Sequence, residues 1–482
     1  MQRKLALLLF FPCLLPLFGA LSSTNTWEIR PTNGNDTNGG CFDPGVTSPG
    51  TDFSQQNSPQ YTFTNLVIAA TTTNVTSASH TFVAADVGNC VHISAGSGFT
   101  TGWYEILSVS TGIATLDRSA GTAASTGGTF FVGGALQTLP QIITILSTTN
   151  QNAVNQTTYV KAESVISTGA QIAFSSTTNQ STFIGYGTTR GDNGQVTVKA
   201  NTANPTGASI FLLDGNRLYN WIANGNYSAS NRAVAIGFHV NGSSTLLVNV
   251  LAENVTEQGI SFSSNQNTCI ACTATNAGSG GNPAITFSSN NGPNYCIFCV
   301  AYANPTIGFS GFGGVLSYCI SANNTGTGSH GFVTGGGDGP TLIDHSLAYG
   351  NAGDGFHITA PGETVGQITN SIAYGNGTFG INAASVIPTG IYYFNNNAYG
   401  GNTSGNLNNV TAGASDVTLT GDPTVAGASN NFALNNTAGA GAACRSAGFP
   451  GVLQAGGTGF SDIGPLQHSS AGAGQKGFPI VQ

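Results

Sequence analysis

Charge is what this sequence has least of. Only 6% of its 482 residues are Asp, Glu, Lys or Arg, and the stretch between Arg232 and Arg445 carries no Lys or Arg at all. A protein that binds nucleic acid needs a basic footprint to neutralise phosphates, so no nucleic-acid partner is expected for this stretch. Long apolar runs are also scarce. Beyond the first 22 residues none approaches the roughly 20 residues that cross a bilayer, and no membrane span is expected. Helical periodicity is confined to Thr138–Leu146, where Leu139, Ile142, Ile143 and Leu146 fall at i, i+3, i+4 and i+7, Thr138 can cap and Pro140 is tolerated in the first turn. The chain is nevertheless 40% hydrophobic, too apolar to be disordered.

What is abundant is Gly, 68 residues, and much of it is periodic. Ser346-Leu-Ala-Tyr-Gly-Asn-Ala-Gly-Asp-Gly-Phe356 and Ser371-Ile-Ala-Tyr-Gly-Asn-Gly-Thr-Phe-Gly-Ile381 are one phrase written twice, 25 residues apart (371 − 346). The Gly before Phe or Ile continues upstream as Gly237, Gly259, Ala284 in place of Gly, Gly308, Gly331, Gly355 and Gly380, in steps of 22, 25, 24, 23, 24 and 25. Asn254, Asn276, Asn304, Asn324, Asn351, Asn376 and Asn402 run in phase with it. A fixed period of this size is the mark of a solenoid, and an Asn in each repeat predicts a recurrent tight turn in the left-handed conformation. The pieces between turns are short and rich in β-branched and aromatic residues, as in Gly355-Phe-His-Ile358 and Gln367-Ile-Thr369, which reads as strand. Three strands of about four residues plus turns fill a coil of roughly 24 residues. The dense Leu pattern of a leucine-rich repeat is missing.

On these repeats the sequence resembles the right-handed parallel β-helix proteins of the pectin-lyase-like superfamily, over roughly residues 150–420. The resemblance implies an all-β fold. It leaves function open, because lyases, hydrolases, epimerases, tailspikes and non-catalytic surface proteins share that architecture. At the far end Gly421-Asp-Pro-Thr424, Phe432-Ala-Leu434 and Ser461-Asp-Ile-Gly464 resemble the C-terminal segment of choice-of-anchor Q type surface proteins, except that Ala442-Ala-Cys-Arg-Ser-Ala-Gly448 departs from the pattern in the middle.

The organisation expected is a signal peptide over 1–22, an N-terminal β unit over 23–135, a parallel β-helix with a capping helix over 136–420, and a C-terminal cap over 421–482. Arg3 and Lys4 precede the apolar run Leu5–Leu21, broken by Pro12 and Pro16, and Ala20-Leu-Ser22 offers small residues for cleavage, so the protein is expected to be secreted or on the outer surface. The strand patterns Cys90-Val-His-Ile-Ser94, Trp103-Tyr-Glu-Ile-Leu-Ser-Val109 and Ile113-Ala-Thr-Leu-Asp117 predict a small antiparallel β unit before the solenoid.

The cysteines admit two readings. Cys269-x-x-Cys272 and Cys296-x-x-Cys299 have the outline of a four-thiolate zinc site. They also fall 27 residues apart in both positions, as one pair of columns on adjacent coils would, and Cys319, Ser346 and Ser371 continue the second column. In a secreted protein stacked thiols or disulfides are favoured, pairing Cys269 with Cys296 or Cys272 with Cys299, with Cys41 and Cys90 as a further bridge; no metal and no cofactor is expected.

Ionisable groups gather in two coils. His330 and Asp354 occupy the position before the repeat Gly in successive coils and should be stacked neighbours; Asp338, Asp344, His345 and His357 lie close by. A His–carboxylate pair supplies a general base and its orienting group, and two carboxylates at suitable separation hydrolyse a glycosidic bond. Against this, Gly-Asp-Gly is an ordinary turn sequence, and His239 recurs at the His357 position. Tyr302, Tyr349, Tyr374 and Tyr399 form a ladder that serves either as stacked core or as a platform for sugar rings. Arg190-Gly-Asp192 matches an integrin-binding tripeptide but is also simply a turn. The expected partner is a polysaccharide or cell-surface glycan, bound by a monomer or homotrimer acting as an adhesin-like scaffold. The alternative is a polysaccharide lyase or glycoside hydrolase working through His330, Asp338, Asp344, Asp354 and His357.

Overall fold

The computed structural model describes residues 21–69, 72–147, 155–174, 180–201, 208–226, 234–278, 281–287, 293–311, 313–335, 340–361, 365–449 and 461–467. Residues 1–20, which hold most of the expected signal peptide, and Asp338 lie outside them. The chain divides into two units, one built mainly on 34–136 and one on 155–482. No helix among the described residues is long and apolar enough to cross a membrane.

The first unit is a closed antiparallel barrel of six strands, in the spatial order Tyr61–Ile68, Asn74–Ser77, Ile113–Leu116, Gly102–Ser110, Cys90–Ala95 and Ser125–Val132. The strands alternate, so Leu66, Ile68, Val91, Ile93, Tyr104, Ile106, Phe130 and Val132 point inward and are buried. Cys41 and Cys90 are bridged, as the sequence suggested. The expected helix forms over Leu139–Ser147. It buries Leu139, Ile142, Ile145 and Leu146, while Ile143 is only partly covered, so the apolar stripe is turned by one position from the expected one.

The second unit is a parallel β-solenoid in which each strand pairs with its counterpart one coil away. Three columns of strands result. The first runs from Thr157–Lys161 to Tyr392–Asn395, the second from Ile166–Thr168 to Val417–Thr418, and the third is a ten-stranded parallel sheet from Ile172–Phe174 to Gly405–Asn408. Alternate third-column residues point inward, and the row Phe309, Phe332, Phe356 and Ile381 is in register. The Phe309, Phe332 and Phe356 rings stack at 5.0 Å from coil to coil, as do those of Phe211 and Phe238, so the core is a continuous pile of rings.

Two corners repeat along the axis. Between the first and second columns one residue per coil takes the left-handed conformation: Asn220, Asn249, Ala271, Phe298, Tyr318, His345, Asn370 and Asn396, with φ between 47° and 64°. After the second column the left-handed residues are Asn254, Asn276, Ala303, Asn323, Gly350, Gly375 and Gly401. The in-phase Asn series therefore requires a correction. Asn254 and Asn276 do take the left-handed turn, but Asn304, Asn324, Asn351, Asn376 and Asn402 each sit elsewhere, and all but Asn324 directly follow a non-Asn turn residue.

Asn304, Asn324, Asn351 and Asn376 are buried in the solenoid, and Asn402 ends their row half-buried, for a different reason. The Nδ2 of Asn304 donates to Asn324 Oδ1 at 3.0 Å, Asn324 to Asn351 at 2.7 Å, Asn351 to Asn376 at 3.0 Å and Asn376 to Asn402 at 2.9 Å. Each Oδ1 also accepts the backbone N–H of the preceding rung, from 3.0 to 3.4 Å. A carboxamide carries a donor and an acceptor, so identical side chains one coil apart satisfy one another where water cannot reach. The ladder also accounts for the repeat Gly: a Cβ on Gly331 would lie 2.6 Å from Gly355 O and 2.9 Å from Asn351 Nδ2, and Gly355 meets the same geometry one coil on.

Breaking a rung leaves polar atoms on both neighbours without partners. Asn351→Leu is therefore expected to destabilise the solenoid by about 3 kcal/mol, the upper part of the range for leaving a buried polar group unsatisfied. Urea unfolding followed by circular dichroism measures this; a change below about 0.5 kcal/mol, the level of an ordinary surface substitution, would mean that the ladder contributes little.

Candidate functional site

The turn that follows the second column carries His330 in one coil and Asp354 in the next, and the third column then presents His357. As expected from the Gly ladder, His330 and Asp354 are stacked neighbours. Asp354 N–H donates to His330 Nδ1 at 2.9 Å, which leaves the proton of a neutral His330 on Nε2. His357 Nδ1 lies 2.7 Å from Asp354 Oδ2; against a carboxylate this nitrogen is the donor, so the lone pair of His357 is on Nε2. His330 Nδ1 is also 3.2 Å from Asp354 Oδ2, a contact that becomes an ion pair only if the ring is protonated and gives up its backbone hydrogen bond. The two imidazoles are stacked, 4.2 Å between centroids and 15° between planes.

Asp354 is 2% exposed and fully engaged. Besides His357, Oδ2 accepts from Asn382 Nδ2 at 2.8 Å, while Oδ1 accepts from Phe379 N–H at 3.0 Å and from the Thr378 hydroxyl. Burial alone would raise the acid; the close His330 ring and the hydrogen bonds from His357, Thr378 and Asn382 outweigh it and hold the carboxyl far below the usual carboxylate range. Asp354 is thus a fixed anion that orients imidazoles, not a group that exchanges protons near neutrality. Around it opens a cleft of about 610 Å³ across three coils, lined among others by Thr325, Thr327, His330, His357, Phe379 and Asn382. Both rings line it, one with an N–H donor and one with a lone pair available, the complementary halves of acid–base chemistry. His330, Asp354 and His357 also have ligand atoms within 4.8 Å of one another, a spacing that a transition metal accepts.

Sequence reasoning overlooked Thr378, Phe379 and Asn382. Their signal was available in the repeat: Phe379 occupies the His330/Asp354 position one coil further on, and Asn382 is in register with His357. His239 belongs to the same outward row as His357, but its Nε2 meets Ser263 Oγ at 3.0 Å, where His357 instead has a carboxylate on Nδ1.

Asp344 is not part of this cleft. It ends a first-column strand, where its Oδ2 meets His345 Nδ1 at 2.7 Å and its Oδ1 accepts from Thr369 at 2.9 Å and Asn370 at 2.8 Å. His345 is fully buried, stacks on Tyr318 and reaches Ser461 Oγ through Nε2 at 3.0 Å. Ser461 Oγ in turn donates to Phe449 O at 2.5 Å, so the Asp–His–Ser series is a buried clamp that holds the C-terminal segment to the solenoid.

The tyrosines are not an open platform. Tyr349 is in register with Tyr374 and stacked on it at 6.1 Å, but Ala322 separates it from Tyr302. Tyr399 pairs with Ala373 rather than Tyr374, whose counterpart is Gly400, so Tyr399 lies one residue out of the ladder and is buried. Tyr349 donates to Asp422 Oδ2 at 2.7 Å and meets Phe432 edge-on; burial first, and then that acid, push its hydroxyl up to about 12. Tyr302 and Tyr374 pack against the same cluster, which includes Phe432, Leu434 and Ile463. The segment expected as an end cap lies along the outer side of the second column and covers these rings.

Arg190-Gly-Asp192 is likewise spent internally. Arg190 binds the buried Glu28 at 2.7 Å and lies over the Tyr159 ring, and Asp192 accepts four backbone N–H groups of its own loop.

Cys269, Cys272, Cys296 and Cys299 are free, buried thiols, which corrects the expected inter-coil disulfides. Cys269 and Cys296 are in register, and their carbonyls are taken by neighbouring thiols: Cys299 Sγ donates to Cys269 O, and Cys319 Sγ to Cys296 O, both at 3.4 Å. Cys319 N–H then donates to Ser346 Oγ at 3.2 Å, and Ser346 N–H to Ser371 Oγ at 3.1 Å, continuing the column as the sequence predicted. The Sγ atoms of Cys269, Cys272 and Cys299 lie within 4.8 Å of one another; burial pushes Cys269, Cys272, Cys296 and Cys319 well up, whereas at Cys299 burial is outweighed by the hydrogen bonds of those neighbouring thiols, which hold it well below its ordinary value.

Two outcomes are expected. Without reductant, Cys269, Cys272, Cys296, Cys299, Cys319 and Cys444 resist alkylation in the native protein and all become labelled in denaturant, whereas a bridge would remove two from the count; peptide mass mapping reads this. For Asp354→Asn, about 2 kcal/mol is lost at pH 7, the scale of hydrogen bonds to a charged group. Because the folded carboxyl is depressed, its stabilisation is present above the ordinary Asp value near 3.9 and is lost as pH falls below it. The gap between the urea midpoints of wild type and variant should therefore be constant above about pH 5 and begin to narrow below about pH 4.

No family model matches the chain, and no curated protein matches it. Among solved structures, pectate lyase Pel9A is similar at 17% identity, over 66% of this chain and 88% of that one, with a TM-score of 0.47. The Azotobacter vinelandii mannuronan C-5 epimerase AlgE4 A-module is similar at 16% identity, over 55% of this chain and 89% of that one, with a TM-score of 0.35. The Agl-KA catalytic domain is similar at 12% identity, over 75% and 83%, also with a TM-score of 0.35.

Proposed function

We propose that the protein is an extracellular β-solenoid that binds a polysaccharide, and that the cleft across His330, Asp354 and His357 receives a sugar unit of that polymer. The observation that carries this reading is the cleft's chemistry. Its lining offers hydroxyls from Thr325 and Thr327, an amide from Asn382, imidazole N–H and lone pair, and the ring of Phe379, with no cationic side chain. Such groups match the alternating donors, acceptors and apolar faces of a neutral sugar. The Cys41–Cys90 bridge supports an oxidising, extracellular compartment, as does the apolar leader.

A catalytic version rests on Asp354 and His357. An anion that fixes the tautomer of an imidazole facing a cleft is an arrangement for general base chemistry, with His330 Nε2–H as the acid. Two-carboxylate hydrolysis has less support, since both oxygens of Asp354 are occupied and Asp344 is elsewhere.

The test is a panel of neutral and acidic polysaccharides, read for binding by affinity electrophoresis, for ultraviolet absorbance of unsaturated products and for new reducing ends. Retention on at least one neutral glycan is expected, weakened about tenfold in Phe379→Ala, the equivalent of about 1.4 kcal/mol. Turnover that disappears in His357→Ala would replace the scaffold reading with the catalytic one. Absence of both binding and turnover across the panel would sink both.

A further inference from the structure

The barrel unit buries a pair of acids with no obvious reason to be there. Glu105 is 1% exposed and Asp43 is 2% exposed. Asp43 Oδ1 accepts from Thr24 Oγ1 at 2.5 Å and from Gly45 N–H at 2.7 Å. Glu105 Oε2 accepts from Asn25 Nδ2 at 2.9 Å and from the backbone N–H of Ser22 at 3.3 Å, while its Oε1 receives no N–H or hydroxyl from another residue, so that a hydrogen bond between Glu105 and Asp43 requires a proton shared by the two acids. The neighbouring charges are Asp117, whose Oδ1 accepts Glu105 N–H at 3.1 Å, and Arg118, which is paired with Asp117. Burial, then the charge and hydrogen bond of Asp43, push Glu105 up to about 8. Two acids thus share a dry site while a backbone nitrogen already points at one of them.

That nitrogen lies at the end of the apolar leader, beside Ala20-Leu-Ser22. Hydrolysis of a peptide bond here consumes one water, leaves a carboxylate on the leader and turns the next backbone nitrogen into an ammonium. We propose that the Asp43–Glu105 pair is the seat of the mature chain's α-ammonium group, created at Ser22 or Ser23 when the leader is removed. Cleavage before Ser22 converts the very nitrogen that contacts Glu105. Cleavage after it brings the Ser23 nitrogen in from one residue away, about 3.8 Å along the chain. The unpartnered Oε1 becomes its acceptor. A calcium ion suits the site less well, because it requires six to eight oxygens and the groups already around the pair are mostly N–H and O–H donors. Removal of the leader thereby completes the barrel electrostatically, and an uncleaved chain keeps a protonated acid in its core.

The two states differ in pH dependence. With an amide at this position, the raised Glu105 favours the protonated fold, so stability falls as pH rises from about 4.5 to about 8. With an ammonium, Glu105 is ionised and that fall disappears. The ammonium, raised above its ordinary value near 8, instead contributes stability that is lost only as pH rises through its own higher value. The experiment compares the secreted protein with one in which a short Gly-Ser extension precedes Ser22 and no leader is present, both with Cys41–Cys90 formed. Mass spectrometry reads the first residue of the secreted chain, and thermal melts are recorded from pH 5 to 9. A mature terminus at Ser22 or Ser23 is expected. The extended chain should lose roughly 5 °C of Tm between pH 5 and 8 while the secreted chain stays level. Glu105→Gln, close in shape, should flatten the profile of the extended chain. Coincident profiles for the two forms, or a mature terminus elsewhere, would overturn the proposal.

Discussion

The nearest neighbour of almost every solenoid side chain is the residue at its own position one coil away. Parallel pairing fixes that spacing near 4.8 Å, so whatever occupies a column must be compatible with copies of itself. Phenylalanine meets the condition by stacking ring on ring, as along Phe309, Phe332 and Phe356. Asparagine meets it because its amide donates in one direction along the axis and accepts in the other. Thiols and hydroxyls do so less symmetrically, through carbonyls and N–H groups of the adjacent coil, as Cys319 and Ser346 show. At Gly308, Gly331, Gly355 and Gly380 the repeat Gly is a consequence of the same condition, since the amide ladder leaves no room for a Cβ beside it.

The scarcity of charge follows as well. Two like charges at 4.8 Å repel by about 3.5 kcal/mol at an effective dielectric constant of 20. A charged column is therefore unstable, and a sequence that repeats itself coil after coil must be nearly neutral. Where ionisable groups do accumulate, they are unlike in kind: His330 lies above Asp354, Phe379 follows in the same column, and His357 stands beside Asn382. The imidazoles and the carboxylate stabilise one another, and the column pattern is broken over three coils only.

Legibility in the sequence divided along the same line. Features transmitted by stacking could be read: the coil length, the repeat Gly before Phe or Ile, the shared column of Cys319, Ser346 and Ser371, and the His330–Asp354 contact. Features that depend on non-periodic partners could not. Nothing in the sequence links Asp344 and His345 to Ser461, more than a hundred residues away, or shows that Asp422 and Phe432 cover Tyr349. Tyr399 illustrates an intermediate failure. Ala398-Tyr-Gly400 repeats the letters of Ala373-Tyr-Gly375, but Ser371 N–H donates to Asn397 Oδ1, and that bond sets the register one residue away from the match in letters. The Asn series misled in a similar way: the turn was correctly located, yet the residue that bends the chain and the residue that bridges the coils are different ones.

These placements bear on which face of the solenoid can meet a polymer. The C-terminal segment lies on the outer side of the second column, and the cluster of Leu347, Tyr349, Ile372, Phe432 and Leu434 closes it. That buries Tyr349 and partly covers Tyr302 and Tyr374, which the sequence offered as sugar platforms. The turn leading into the third column is different, because it opens into a cleft whose polar side chains come from three successive coils. A linear glycan laid parallel to the solenoid axis would meet those coils in turn. On the proposed glycan-binding reading, specificity comes from the place where the repeat is broken. In this molecule that place is the His330–Asp354–His357 group, held rigid by a carboxylate with no remaining acceptor to offer.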